Sequence, residues 1–405
     1  MISVEQARRL IFKNSFPLPP VPKPLPQALG LVLAQDVKSP SDYPLYDVSA
    51  MDGYALKASD LRNASQAKPV TLKVRGTQHA GDFLKKQLKT GECFKVMTGG
   101  VIPAGADSVL ERELVVERDG KTVAFYYTVV KGRNIRYRGE GIRKGALALK
   151  KGSQLHSRAI GFLASLGVDT VQVYPRPKVG LVITGNELVK PGKKPKPGQI
   201  YNSNQWMLET ALRETGVEPV LSILVPDQPQ RLKTQLKKAL ASCDLVLLVG
   251  GVSVGDSDFS KPVLESLGVN RIFWRVAQKP GFPLYFGKKS KTLVFGLPGN
   301  PASAWINFHE YVVPALRVLQ GLPPNMDRLE AKLDSGDIRQ GWKTLFLKGR
   351  LDRKNGRLSA QVLEGQASHL LKSLAEGDSL VVIPSGKGTL KKDATVEIHP
   401  LPGKK

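Results

Sequence analysis

The segment KVGLVITGNELVKPG, residues 178–192, runs as an apolar strand into Thr184, Gly185, Asn186 and Glu187 before a Pro-Gly turn. A carboxylate at the carboxyl end of a buried strand stands where an open parallel α/β sheet keeps its ligand crevice. Three further segments put polar groups at similar points. PVLSILVPDQ places Asp227 just past an apolar run and near a helix start, where an acid also suits the macrodipole. LVLLVGGVSVGDSD offers Gly250, Gly251 and Gly255, which let the backbone approach an anion, beside Ser253, Asp256 and Asp258. Its spacing matches neither a Walker A motif nor GxGxxG. FGLPGNPASAWINF has Asn300 as an N-cap and Pro301 at N1, a helix start able to receive a phosphate. In the first half, DVSAMDGYAL and VMTGGVIPAGAD hold Ser49, Asp52, Thr98 and Asp107 in glycine-rich turns.

These groups need elements to hold them. SVEQARRLIFKN predicts an opening helix with Ser3 and Gln6 as a capping box, followed by the proline-rich connector FPLPPVPKPLPQALG. Residues 69–137 alternate in short strand-like runs such as VTLKVRG and TVAFYYTVV. SRAIGFLASLGV then has Ile160, Leu163, Ala164 and Leu166 on one helical face, with Gly167 as its stop. From Tyr174, apolar strands alternate with helices, which predicts a mostly parallel sheet covered on both faces and a long helix from Pro301. Short strand-like runs resume after about Leu322. The expected architecture is multidomain α/β plus β. An N-terminal domain in two segments, 1–41 and 138–173, flanks an inserted β domain at 42–137; an α/β domain spans 174–321 and a C-terminal β domain 322–405.

Composition narrows the classes. With 405 residues, 41% of them hydrophobic, the chain can build several cores without staples. Neither a membrane-length apolar run nor a signal-peptide pattern is visible, so a cytoplasmic location is expected. Cys93 and Cys243 lie far apart and read as buried small hydrophobes. The five histidines are isolated in sequence and show no HExxH pair, so catalysis is expected to lean on other groups. Sixty Lys and Arg against 35 Asp and Glu give a formal charge of +25, which favours anionic ligands. No RNP pattern, helix-turn-helix signature or basic heptad is present, leaving a nucleic-acid-associated role resting on charge alone.

Taken in order, SAMDGYA, TGGVIPAGADSVLERE, GRNIRYRGEGIRKGALALKKG, ITGNEL, GGVSVGDSD, KPGFP and GLPGNPASA resemble the signature segments of the MoeA family, the molybdopterin molybdenumtransferases that include the gephyrin E domain. The resemblance covers nearly the whole chain. It implies an elongated four-domain protomer with a MoaB/MogA-like α/β domain, a homodimer, and Mg2+-assisted insertion of molybdate into adenylylated molybdopterin with release of AMP. It further implies a molybdopterin adenylyltransferase and molybdoenzyme chaperones as partners, with no membrane and no specific nucleic acid. Carried over residue by residue, it makes Asp52 and Thr98 residues that reach the other protomer's α/β domain. Glu187, Asp227 and Asp258 become acids that hold the metal, and Lys279 holds an anionic oxygen. Gly250, Gly251, Ser253, Gly255, Pro298, Gly299, Asn300, Pro301 and the C-terminal Ser368 bind the pterin nucleotide. The chain also departs from the family pattern: Gly141 and Asn186 stand where acids are usual, Phe282 where a second lysine is common, and Ala367 within the usual QGS. These departures also fit a pterin-nucleotide-binding homologue that has lost or altered turnover.

Overall fold

A computed structural model describes residues 1–83, 86–251, 259–354 and 356–403. The chain divides into two compact units, one of residues 22–29 and 35–172, the other of residues 1–21, 30–34 and 173–405.

The smaller unit is built on a six-stranded sheet. Its strands are β1 (Gly53–Leu56), β2 (Val70–Gln78), β3 (Glu92–Val96), β4 (Ser108–Glu111), β5 (Val115–Arg118) and β6 (Thr122–Phe125), in spatial order β4-β1-β3-β2-β6-β5. Tyr54, Leu72, Cys93, Leu110 and Phe125 fill one face. A Cβ at Gly53 would stand 2.2 Å from the Leu110 carbonyl oxygen, so only glycine lets β1 lie this close to β4. The helix Ser157–Ser165 buries Ala159 and Leu163, and Leu166 just beyond it is buried too. The predicted Ala164 is exposed: it lies one position away from the face that Leu163 buries.

In the larger unit, α1 (Val4–Asn14) begins with the expected capping box: Ser3 Oγ accepts from Gln6 N–H at 3.1 Å, and Gln6 Oε1 accepts from Ser3 N–H at 2.9 Å. Its Val4, Ala7 and Ile11 are buried, the Val and Ile each contributing about 1.5–3 kcal/mol. The central sheet contains β7 (Val179–Thr184), β8 (Pro219–Val225), β9 (Leu245–Val249), β10 (Asn270–Trp274), β12 (Tyr285–Lys289) and β13 (Thr292–Leu297) in the order β8-β7-β9-β13-β12-β10. The first four are mutually parallel, β12 runs antiparallel to β13, and β10, antiparallel to β12, points the same way as the first four. Leu181 and Ile183 of β7 face one core, with α1 and the helix Ser203–Glu214; Val182 faces the other, with the helices Pro229–Ser242 and Ser260–Ser266. This is the expected three-layer α/β arrangement. Strand β12 was not anticipated, because LYFG sits between a Pro-Gly-Phe-Pro turn and a run of lysines.

The helix predicted from Pro301 is interrupted. Pro301–Asn307 is α-helical, Phe308–Val312 is a π turn, and Val313–Leu319 resumes the α-helix. Beyond it, β14 (Leu329–Leu333), β15 (Thr344–Lys354), β16 (Arg357–Val362), β17 (Ser379–Ile383) and β18 (Thr395–Pro400) pair in the order β15-β16-β14-β18-β17, and β15 also pairs with β17. The C-terminal β layer therefore closes on itself, which leaves no long open edge. The two-residue strand β11 (Gln278–Lys279) pairs in parallel with the start of β15.

Candidate functional site

The parallel strands β7, β8, β9 and β13 end on one rim, and a cleft of about 910 Å3 opens there. That volume suits a nucleotide-sized ligand. Sequence-predicted residues from six separate segments line it: Glu187, Asp227, Gly250 and Gly251, Lys279, Pro298 to Pro301, and Ser368. Ser253, Gly255 and Asp258 lie outside the described residues. Asp52 and Thr98 belong to the smaller unit.

At the end of β7, Thr184 is buried and its hydroxyl donates to Asp227 Oδ1. The neighbouring contacts are reciprocal. Asn186 N–H donates to Asp227 Oδ2 at 3.1 Å, and Asp227 N–H donates to Asn186 Oδ1 at 3.0 Å. The amide at position 186 thus serves as an acceptor that locks two strand ends together. Glu187 folds its carboxylate over Gly185, where a Cβ would lie 2.8 Å from Oε2, and it is exposed. At the end of β9, Gly250 and Gly251 have φ of 90° and 62°, and Cβ atoms there would stand 2.6 Å from the Thr184 carbonyl oxygen and 2.3 Å from Ser260 Oγ. Larger residues would therefore push this loop out of the rim.

At the end of β13, Asn300 Nδ2 donates to Ser368 Oγ at 3.1 Å, and Ala302 N–H donates to the Ser368 carbonyl at 3.1 Å. The C-terminal β layer thereby caps the helix start it faces. Lys348, nearly fully buried, donates from Nζ to the carbonyls of Gly365, Ala367 and Leu370 at 2.7, 3.2 and 3.1 Å. Three carbonyls fix the loop that carries Ser368, while burial lowers the lysine's pKa. Nothing in the sequence KGR within so basic a chain singled this residue out.

The opposite lip is cationic. The β11–β15 pairing sets Thr344 N–H against the Ala277 carbonyl at 3.0 Å and brings Lys343 beside the strand of Lys279, so both line the cleft. Lys343 Nζ lies 4.8 Å from the Phe282 ring centre and 4.5 Å from that of Trp342. Where an ammonium was missing from position 282, another reaches the same place from 61 residues further along the chain, held by the ring that replaced it. Sequence reasoning missed Lys343 because only tertiary pairing places it here. It also missed Asn204, whose Nδ2 donates to the Gly299 carbonyl at 2.7 Å and whose buried Oδ1 has no partner among the described residues.

In the smaller unit, Thr98 N–H and Thr98 Oγ1 both donate to Asp52 Oδ1 at 2.7 Å. These two bonds hold the Asp52 carboxyl below its usual range, with Arg112 adding a smaller pull. Both residues are exposed. Asp107 is committed locally, accepting from Ala58 N–H at 2.7 Å and Ser108 Oγ at 3.0 Å. A Cβ on Gly141 would press on Tyr43 at 3.2 Å, so an acid at that position would require Tyr43 to shift.

Among the described residues, no three His, Cys, Asp or Glu side chains surround a common point suited to a metal. Two carboxylates on one rim still fit Mg2+, which keeps most of its waters and takes one or two protein acids with substrate phosphates.

Family models match almost end to end: "MoeA N-terminal region (domain I and II)" over residues 2–167, "Probable molybdopterin binding domain" over 180–318 and "MoeA C-terminal region (domain IV)" over 331–401. A molybdopterin molybdenumtransferase from Haemophilus influenzae is 34% identical over 412 residues, covering 99% of this chain and 98% of its own. The chain belongs to the MoeA family. Another relative of that name, from Bacillus subtilis, is 31% identical and covers 92% of this MoeA chain and 88% of its own. A crystal structure of a molybdopterin biosynthesis MoeA protein from Pyrococcus horikoshii superposes with a TM-score of 0.85 at 32% identity, covering all of both chains. As a MoeA protein, the chain is a transferase of molybdenum cofactor biosynthesis, as its motif order implied.

Proposed function

We propose that this protein inserts molybdate into the dithiolene of adenylylated molybdopterin with Mg2+-dependent release of AMP. The observation that carries it is the cleft itself. Carboxylates at two strand ends face an anion-binding lip made by Lys279 and Lys343, and a glycine turn and a capped helix start lie between them. Glu187 and Asp227 would hold Mg2+, with Asp258 as a third acid of the set. When bound, the metal neutralises phosphate and molybdate charge and polarises the phosphoanhydride. Thr184 and Asn186 orient Asp227, so its oxygens are fixed before the substrate arrives. Lys279 and Lys343 bind anionic oxygens on the far lip, and the backbone at Gly250, Gly251 and Gly299, with Ser253 and Gly255 completing the β9 turn, leaves room for the nucleotide. Pro298, Asn300, Pro301 and Ser368 shape the remaining wall. The attacking oxygen comes from water or molybdate.

The proposal includes a homodimer in which Asp52 and Thr98 of one copy serve the cleft of the other. Mixing Asp52→Ala with Glu187→Ala subunits would then restore activity that neither variant has alone. It also includes a cytoplasmic location, with the adenylyltransferase delivering the substrate and molybdoenzyme chaperones receiving the product. No helix among the described residues is long and apolar enough to cross a membrane. The decisive assay is AMP release from adenylylated molybdopterin with molybdate and Mg2+, with Glu187→Ala as control. Release no faster than without protein sinks the proposal, and tight binding without release favours the altered-turnover homologue.

A further inference from the structure

The acids at the strand ends create an electrostatic problem. On the function proposed above, on which this inference rests for the identity of its ligand, the incoming substrate carries several negative charges and must pass Glu187 and Asp227. The segment rising from their rim carries the opposite sign. Leu188–Val189 and Ile200–Tyr201 pair as two short parallel strands, and Leu188, Ile200 and Tyr201 line the cleft. Between them runs KPGKKPKPGQ, residues 190–199, with four lysines and no acid.

This loop has a defined shape. Lys193 N–H donates to the Lys190 carbonyl at 3.2 Å, and Gln199 N–H donates to the Lys196 carbonyl at 2.9 Å. Gln199 Oε1 accepts from Lys196 N–H at 3.0 Å, and Ile200 N–H ties the returning strand to the Glu187 carbonyl at 2.8 Å. Pro191, Pro195 and Pro197 restrict φ along the loop, while Gly192 and Gly198, at φ of 87° and 83°, make its turns. Lys190, Lys193, Lys194 and Lys196 are all exposed, and among the described residues none has an ion-pair partner. Four like charges on a stiffened loop repel one another, so their clustering adds nothing to stability. It does give a local positive potential at the entrance to an acidic cleft.

We propose that residues 190–198 form an electrostatic capture loop that draws a polyanionic, phosphate-bearing substrate past the acids at the strand ends and into the cleft. Its work lies in the encounter and in the weakly bound state, not in the chemical step. The loop's effect therefore falls in binding and in kcat/KM, is strongest at low salt, and leaves kcat unchanged.

The test uses the full-length protein and ATP as a polyanionic probe, with binding measured by calorimetry across a salt series. The triple variant Lys193→Gln, Lys194→Gln, Lys196→Gln is compared with Lys233→Gln, Lys237→Gln, Lys238→Gln, which removes the same charge from the exposed face of the helix Pro229–Ser242. The loop variant is expected to bind roughly ten-fold more weakly at about 20 mM salt and within about two-fold of wild type near 300 mM, where screening is strong. The helix variant should stay within about two-fold of wild type throughout. Equal losses in both variants would show that the global field does the work and overturn the proposal, as would an unchanged salt slope or no salt-dependent ATP binding by the wild type. If wild type releases no AMP yet its ATP binding depends on the loop, the reaction proposed above fails while the capture loop stands.

Discussion

Two sets of carboxylates in the larger unit are built in opposite ways. Inside, Glu310 on the π turn is 3% exposed and is contacted by Arg8 Nη2 at 2.5 Å, His309 Nδ1 at 2.9 Å and His399 Nδ1 at 2.9 Å; His399 Nε2 in turn meets Glu397 at 2.6 Å. These residues come from α1, the π turn and β18, so the cluster ties three segments together. At the rim, Asp227 accepts from neutral groups, and among the described residues the Glu187 carboxylate has no donor. The same side-chain types thus serve a closed network in one place and stand ready for a ligand in the other. What separates them is whether their bonds are already taken.

The sharpest way to break that contrast is to open the closed network. Glu310→Ala leaves Arg8 and two histidines without their buried counter-charge and is expected to destabilise the larger unit by about 3–5 kcal/mol, read by chemical denaturation. Burial pushes the Glu310 pKa up, but the hydrogen bonds and charges of His309 and His399 more than reverse this and leave it far below the usual carboxylate range. A folded pKa below the unfolded value of about 4.3 means the contribution is fully present above that pH and is lost as pH falls through the folded value. The stability gap between wild type and Glu310→Gln should therefore narrow as pH falls below about 4. A gap that is small at pH 7 would place Glu310 with the uncommitted groups.

Rim acids should behave in reverse. Asp227→Asn or Glu187→Gln is expected to reduce AMP release by about 100-fold or more, as when a metal site loses an oriented ligand. Stability should change by less than about 1 kcal/mol, because the freed donors can turn to water. A rim variant that unfolds the protein would mean these acids are structural after all.

The contrast also explains what could be read from the sequence. The α/β layers followed from strands such as LVLLV, in which every residue is apolar, and from helices with clear stops. Glu187, Asp227 and Asn300 were visible because each stands just past a strand or at a helix start, where local order alone predicts a rim position, whereas Lys279 rested on the motif resemblance. The histidines looked isolated because His309 and His399 are 90 residues apart, and only the pairing of the C-terminal strands with one another brings His399 to the π turn. Lys343 was hidden for the same reason. The π turn itself left no mark, since FHEYV carries a helical apolar pattern whether or not the helix widens there.

Lys343 gives the next largest effect. Lys343→Ala removes an ammonium aimed at the cleft, and a charge-assisted bond of about 1.5–3 kcal/mol corresponds to roughly 10–150-fold in KM for the anionic substrate. Phe282→Ala should produce a smaller loss, because the lysine keeps its charge but loses the ring that holds it. If Lys343→Ala leaves KM unchanged while Phe282→Ala raises it, the ring rather than the cation binds substrate.

The smallest expected effect lies at Asn186. Its Oδ1 accepts from Asp227 N–H, a bond that a carboxylate can make equally well, and among the described residues its Nδ2 makes none. Asn186→Asp should therefore leave stability within about 0.5 kcal/mol. One added carboxylate charge on the rim strengthens its attraction for a divalent ion, and screening by water and salt limits this to about a few-fold gain in apparent Mg2+ affinity. A few-fold gain with unchanged kcat would show that this chain keeps the family's geometry with one charge fewer at the rim. A large rise in kcat would instead show that the amide restrains turnover, and the contrast would gain a third class: a residue whose hydrogen bonds are satisfied but whose missing charge sets the chemistry.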